Sequence, residues 1–141
     1  MSLENTQKLN CPKCRQPQEV VIWRTLNVDV TPDAKRDLFD GRINVLVCES
    51  CGNEARIDTA FMYHDMKRQV CVHYYPLESL QDVSFLNLFD RDATINTAGL
   101  PGAKVPDYMR HQHVVFEMGE LLRYVMFRER LFDHYAFRPP A

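Results

Sequence analysis

Two Cys-x-x-Cys units, Cys11-Pro12-Lys13-Cys14 and Cys48-Glu49-Ser50-Cys51, restrict what this chain can become more than any other feature. A Cys-x-x-Cys turn puts two sulfurs on one side of a tight knuckle, with backbone N–H groups directed at them. Two knuckles complete the tetrahedron of thiolates that zinc prefers in a closed structural site. Gly52, directly after the second unit, suits a knuckle that needs a positive φ. The units are separated by 33 residues, more than the common spacing of about 15–20; a helix inserted between strands accounts for the excess. The expectation is one structural Zn(2+) on Cys11, Cys14, Cys48 and Cys51. Iron takes the same four thiolates, so the ligand pattern by itself fits both ions. A redox dithiol calls for a helix starting after Cys14, where a polar turn and a β-rich run stand instead. Structural disulfides call for an oxidising compartment.

The compartment is read from the rest of the chain. Met1–Asn10 is polar and has no apolar core of the kind a secretory signal needs. No run approaches the roughly 18 apolar residues of a membrane span. The expectation is a cytoplasmic protein with no membrane segment. Charge bears on partners. Formal net charge is −2, and residues 1–76 carry ten basic and ten acidic side chains. Nucleic-acid binders usually show an excess of Lys and Arg for phosphate contacts, so a nucleic-acid-binding zinc ribbon is the second reading rather than the first.

Periodicity places the knuckles among strands. Residues 1–10 read as a frayed polar lead-in. Glu19–Val30 is rich in β-branched residues, with Val20, Ile22, Leu26, Val28 and Val30 on one face, broken by Arg24. Thr31-Pro32-Asp33 is a helix start and Gly41 a stop, giving a helix over about 32–40. Ile43, Val45 and Val47 alternate into Cys48. Arg56–Tyr63 and Val70–Tyr74 read as an outgoing and a returning strand about a turn at His64-Asp65-Met66-Lys67. Residues 77–90 have helical spacing, and 91–108, with Gly99, Pro101, Gly102 and Pro106, read as a loop. His113–Phe116 is a short β-like run, and Glu117–Tyr135 an amphipathic helix. The fold class expected is α+β: a zinc-ribbon-like antiparallel β domain over 9–76 with one short inserted helix, followed by a linker and helical C-terminal extension over 77–141.

CPKC, the run VIWRTLNVDVTPDAKRDLFDGRINVLVCESCG and the later FMYHDMKRQVCVHYYP resemble the CpXC family, a bacterial and archaeal family of zinc-binding domains without an assigned reaction. The resemblance covers about 9–135 and is most specific in the first 76 residues. It implies that Cys11, Cys14, Cys48 and Cys51 are the family's four characteristic cysteines. In one respect the chain departs: the second motif of the family reads C-P-x-C, and Glu49 stands at the proline. Proline shapes the knuckle and ligates nothing.

The remaining chemistry-bearing residues do not assemble into a catalytic set. Cys71 shares a strand face with His73 and Tyr75, but parallel side chains on one strand do not make a nucleophile–base pair, and a small core thiol is the simpler reading. His64-Asp65 reads as a polar turn. His111-x-His113 has a spacing that suits two ligands of a second metal and lacks nominees for the others. Trp23, Tyr74 and Tyr75 read as core or interface aromatics rather than a base-stacking platform. The C-terminal helix is apolar on more than one side, and Leu121, Leu122, Val125, Phe127, Leu131 and Phe132 are its candidate interaction surface. The function expected is a non-enzymatic, zinc-stabilised module for protein interaction or assembly, with a protein partner or a second copy. The alternatives are the nucleic-acid-binding ribbon and a thiol- or metal-dependent enzyme.

Overall fold

The computed structural model describes residues 2–96 and 105–137; Gly99, Pro101 and Gly102 of the expected loop lie outside them. In chain order the elements are strands β1 (Leu3–Asn10) and β2 (Pro17–Asn27), helix α1 (Pro32–Phe39), strands β3 (Val45–Val47), β4 (Glu54–Arg56), β5 (Phe61–Asp65) and β6 (Val70–Tyr74), a 3₁₀ turn at Leu77–Gln81, helices α2 (Val83–Leu86) and α3 (Asp107–Arg110), strand β7 (His113–Val115) and helix α4 (Met118–Phe137). The chain is α+β. No helix among the described residues is long and apolar enough to cross a membrane.

Five strands form one sheet in the order β1-β2-β5-β6-β7, and β3 and β4 form a separate hairpin. The expected antiparallel pairing holds for β5 with β6 and β3 with β4, and β1, where no strand was expected, pairs antiparallel with β2. Two junctions are parallel, β2 with β5 and β6 with β7. Each parallel junction follows a long crossover, as parallel neighbours require: α1 and the β3–β4 hairpin lie between β2 and β5.

Helices α1 and α4 supply side chains to a core that also takes one face of the sheet. Leu26, Phe61, Tyr63, Val70, Val72 and Val115 meet Ala34 and Leu38 of α1 and Leu121 and Val125 of α4. Positions 121 and 125 are one helical turn apart, so both point inward. Lys35 of α1 and Glu129 of α4 form an ion pair that ties the two helices together. On the opposite face, Tyr75 packs edge-on against Phe85 and Phe89, and Phe85 also meets Phe116. The short α2 thus serves to seat Phe85. β7 and α4 therefore share one core with β2, β5 and β6.

Several local expectations are corrected. Residues 3–10 are not frayed: they form β1, paired with β2 along its length. The Ser2 hydroxyl pins its start, accepting hydrogen bonds from the Asn27 N–H at 2.9 Å and from the Thr31 hydroxyl at 2.8 Å. Thr31 accordingly precedes α1 without capping it through its side chain. The run expected as one strand over 56–63 is broken, because β4 belongs to the small hairpin and β5 to the large sheet; the chain changes sheets across Ile57–Ala60. His64 and Asp65 close β5, and the turn lies after them. Asp65 holds that turn: its carboxylate accepts from the Arg68 backbone N–H and from the Arg68 guanidinium, both at 3.0 Å.

Candidate metal centre

Both Cys-x-x-Cys units sit at hairpin tips. The first joins β1 to β2 and the second joins β3 to β4. The two tips fold alike. In the first, the Cys11 N–H donates to the Gln16 carbonyl at 2.9 Å and the Arg15 N–H to the Cys11 carbonyl at 2.8 Å. In the second, the Cys48 N–H donates to the Asn53 carbonyl and the Gly52 N–H to the Cys48 carbonyl, both at 2.9 Å. The residue four places after the leading cysteine is left-handed in each, with φ of 64° at Arg15 and 75° at Gly52. Glycine at the second tip was readable from sequence. An arginine in the same conformation at the first was not, because nothing about its type announces it.

This symmetry yields a paired prediction. A left-handed conformation costs a non-glycine residue about 1–2 kcal/mol. Arg15→Gly should relieve that strain, less the added freedom of glycine in the unfolded chain, for a net gain of roughly 0.5–1 kcal/mol. Gly52→Ala meets no steric obstacle, since a Cβ there would have nothing within 4 Å; it should lose about 1 kcal/mol through φ alone. Chemical denaturation of the metal-loaded protein measures both, and equal signs for the two variants refute the assignment.

The tips face each other across a small core of Val20, Ile22, Leu46, Cys11 and Cys48, with Leu9, Cys14, Ala55 and Ile57 packed on it. Asn44 holds the β3–β4 hairpin against β2. It is buried and left-handed, with φ of 55°. Its side-chain oxygen accepts from the Trp23 N–H at 2.7 Å and its amide donates to the Trp23 carbonyl at 2.9 Å. One asparagine therefore acts as a short piece of neighbouring strand. Sequence reading passed over it, although asparagine is the non-glycine type best suited to a left-handed position with both a donor and an acceptor to offer.

All four sulfurs lie within 4.8 Å of one another. Across the two tips, Cys11 Sγ is 3.7 Å from Cys51 Sγ, and Cys14 Sγ is 3.4 Å from Cys48 Sγ. Zinc–sulfur bonds of about 2.3 Å put tetrahedral ligands roughly 3.8 Å apart, so the sulfurs need only small movements to hold such an ion. Electrostatics are arranged for it. The Cys14 N–H, assisted by that of Lys13, draws the Cys11 thiol down to about 6 against its burial. The Cys51 N–H lowers the Cys48 thiol from its ordinary value, again against burial. Cys14 is the exception: the Gln16 N–H favours its thiolate, but burial and the surrounding sulfurs push it up to about 12. Four thiols this close resist complete ionisation until a cation balances them. A divalent ion supplies that balance and, when bound, fixes both hairpin tips to each other. Among the described residues, no other group of three or more His, Cys, Asp or Glu side chains lies close enough to share an ion.

The other candidates disperse. The His111 ring is 3.4 Å from the Thr94 hydroxyl, whereas His113 stacks on Tyr124 at 4.0 Å; each ring answers to a different neighbour. His64 Nε2 is 2.5 Å from the Tyr108 hydroxyl. Cys71 is buried, and its thiol donates to the Gln112 side-chain oxygen at 3.6 Å. Burial pushes that thiol up to about 12 and holds His73 down at about 4, so both stay neutral near pH 7. Gln112 also contacts His73 Nδ1 at 3.2 Å, and the Tyr75 hydroxyl is 2.9 Å from the same nitrogen. The Cys71 thiol is thus directed at an amide and not at a base. Of the six α4 candidates, Leu121 and Val125 are buried in the core and Leu122 packs against it. Leu121 and Val125 are thereby withdrawn from the surface, and Leu122 only in part. Leu131 is half-buried, and Phe127 and Phe132 are exposed.

No curated protein and no solved structure matches the chain. A family model described as CpXC protein matches residues 9–135, which takes in both hairpin tips, the five-stranded sheet except Leu3–Lys8 of β1, and nearly all of α4. Two Cys-x-x-Cys hairpin tips brought to one point, within a match of that length, show that the chain belongs to the CpXC family.

Proposed function

We propose that this protein is a zinc-stapled adaptor, in which the metal is structural and the distal half of α4 is the surface that meets a partner protein. The observation that carries the reading is the exposure of α4 beyond Val125. Met126 is 53% exposed, Phe127 56%, Phe132 40% and Tyr135 57%. The first half of the helix is held by the core, and the second half carries aromatic side chains past it. Contiguous apolar surface of this kind tends to mark association sites. A cleft of about 450 Å³ opens there, lined by Arg68, Arg128, Leu131, Phe132 and Tyr135. The Arg68 guanidinium lies over the Phe132 ring at 5.3 Å. Aromatic and arginine anchors are the residue types that dominate protein interfaces. Zinc is the ion of choice because four thiolates in a closed site, with backbone N–H groups aimed at the sulfurs, suit it best.

Two measurements test this. Native mass spectrometry of freshly prepared protein should give one zinc per chain; iron, or no metal with paired disulfides, overturns the metal. Phe127→Ser with Phe132→Ser should leave metal content and melting temperature nearly unchanged, because both side chains are exposed, and should abolish capture of the partner protein by the tagged full-length chain. Unaltered capture by that variant removes α4 from the interface.

A further inference from the structure

The first strand offers a second surface, on the far side of the sheet from β7. β1 is the terminal strand of the five-stranded sheet and pairs with β2 only on its inner side. Among the described residues no strand pairs with its outer edge. Glu4, Asn5, Thr6, Lys8 and Asn10 are exposed. Natural sheets blunt such an edge with proline, bulges, very short strands or charges, lysine above all; of these β1 carries only the charges Glu4 and Lys8, which the register below sets against each other. β1 is eight residues long and contains no proline. The one irregularity in its pairing with β2, between Leu3 and Glu4, places the extra residue on β2, where Arg24 is skipped between the Trp23 and Thr25 partners. β1 itself runs unbroken, with its outer row of backbone donors and acceptors available.

We propose that β1 pairs with β1 of a second copy of this chain, antiparallel about a two-fold axis through Thr6. The order of residue types in the strand supports this register. Antiparallel pairing centred on Thr6 sets Glu4 opposite Lys8 of the second copy, and Lys8 opposite its Glu4. The same register sets Leu3 opposite Leu9, Asn5 opposite Gln7, and Thr6 opposite Thr6. Each charge meets its opposite and each leucine meets a leucine, twice by symmetry. Directly opposed residues of unlike charge, and opposed threonines, are the pairs that stabilise antiparallel strands. Lys8 already faces Glu19 of β2, so the dimer extends a line of alternating sign across three strands. Leu3, 52% exposed in the single chain, gains an apolar neighbour. Two five-stranded sheets become one of ten strands, and both open β1 edges disappear. The contact is isologous, the commonest arrangement in soluble oligomers. It is separate from α4 and leaves that helix free, so the dimer presents two copies of it.

The test is charge exchange in the full-length, metal-loaded protein, read by analytical ultracentrifugation over a range of protein concentrations. The wild type should sediment as a dimer. Glu4→Lys or Lys8→Glu sets like charges against each other twice and should weaken the dimer about tenfold. The double exchange E4K/K8E restores unlike pairs between the copies, leaving like charges only against Glu19 within each chain, and should restore most of the affinity lost by Lys8→Glu. Amide exchange across residues 4–8 should slow as the wild-type concentration rises. A wild type that stays monomeric overturns the proposal. So does a dimer indifferent to both single exchanges, or single losses that the double exchange does not rescue. A dimer lost in the Phe127→Ser, Phe132→Ser variant and kept in Glu4→Lys belongs to α4 and likewise overturns it.

Discussion

Cys48→Ser protein is expected to lose its metal and, with it, the fold of the two hairpin tips. Cys48 is 2% exposed and belongs to the small core that it helps to close. Serine offers a harder, less readily ionised ligand and leaves three thiolates. Four-ligand zinc sites contribute on the order of 10–16 kcal/mol in peptide systems, whereas whole domains are stable by only about 5–15 kcal/mol. Loss of the ion therefore exceeds the margin available. The core around Leu46, Val20 and Ile22 contains few large side chains and cannot hold β3 and β4 in place alone. Elemental analysis should find almost no bound metal, and thermal unfolding should lose its cooperative transition. Cys71→Ala serves as the control, since that thiol sits against Gln112; it should keep a full equivalent. A metal-free Cys48→Ser protein that melts like the wild type refutes a structural role for the site.

The second large effect is expected at Leu121. Its side chain has no exposed surface and packs with Leu26, Tyr63 and Val72 beneath α4. Truncation of a buried leucine to alanine removes transfer free energy and leaves a cavity, at a cost of about 2–5 kcal/mol. For a chain of this length that corresponds to a fall in melting temperature on the order of 10 °C. Phe127→Ser, six positions further along the same helix, should change it by only a degree or two. Calorimetry on both variants reads the orientation of α4 directly. A large loss at Phe127 with none at Leu121 means that the helix faces the other way. The same placement of Leu121 and Val125 means that deleting residues 112–141 uncovers the main core instead of releasing an intact domain.

The cluster of Cys11, Cys14, Cys48 and Cys51 could be read from sequence because two thiol pairs at short spacing suit one shared ion. α1 and α4 were equally readable, each from a local signal: Pro32 and Gly41 bracket the one, and helical periodicity marks the other. β1 was not. Alternation marks a strand only where one face is buried against the other's exposure, and Glu4-Asn5-Thr6-Gln7-Lys8 has no apolar member. What makes it a strand is the tertiary pairing with β2 and the anchor at Ser2. The break between β4 and β5 was hidden for the opposite reason. Ile57, Thr59, Phe61 and Tyr63 alternate without interruption, and only the two destinations of the chain separate them. The breadth of apolar character on α4 was visible, but its division was not. Leu121 and Phe127 have similar hydropathy, and only the end of the core decides which of them it covers.

Among the described residues, strand β2 is the one element with side chains in both cores: Val20 and Ile22 stand beside the cysteines, Leu26 beneath α1 and α4. Its 11 residues span roughly 35 Å at about 3.3 Å each. The bulge at Arg24 falls where the strand passes from one core to the other. The cysteine cluster and the helical layer are therefore linked through β2, and Asn44 braces that strand midway with its two hydrogen bonds to Trp23. Binding energies connected in this way are reciprocal. An ion held by the cysteines would be bound more tightly by whatever steadies the far end of β2, and its removal would loosen the helices packed there. A metal held at the hairpin tips would accordingly be felt as far as the core beneath α1 and α4.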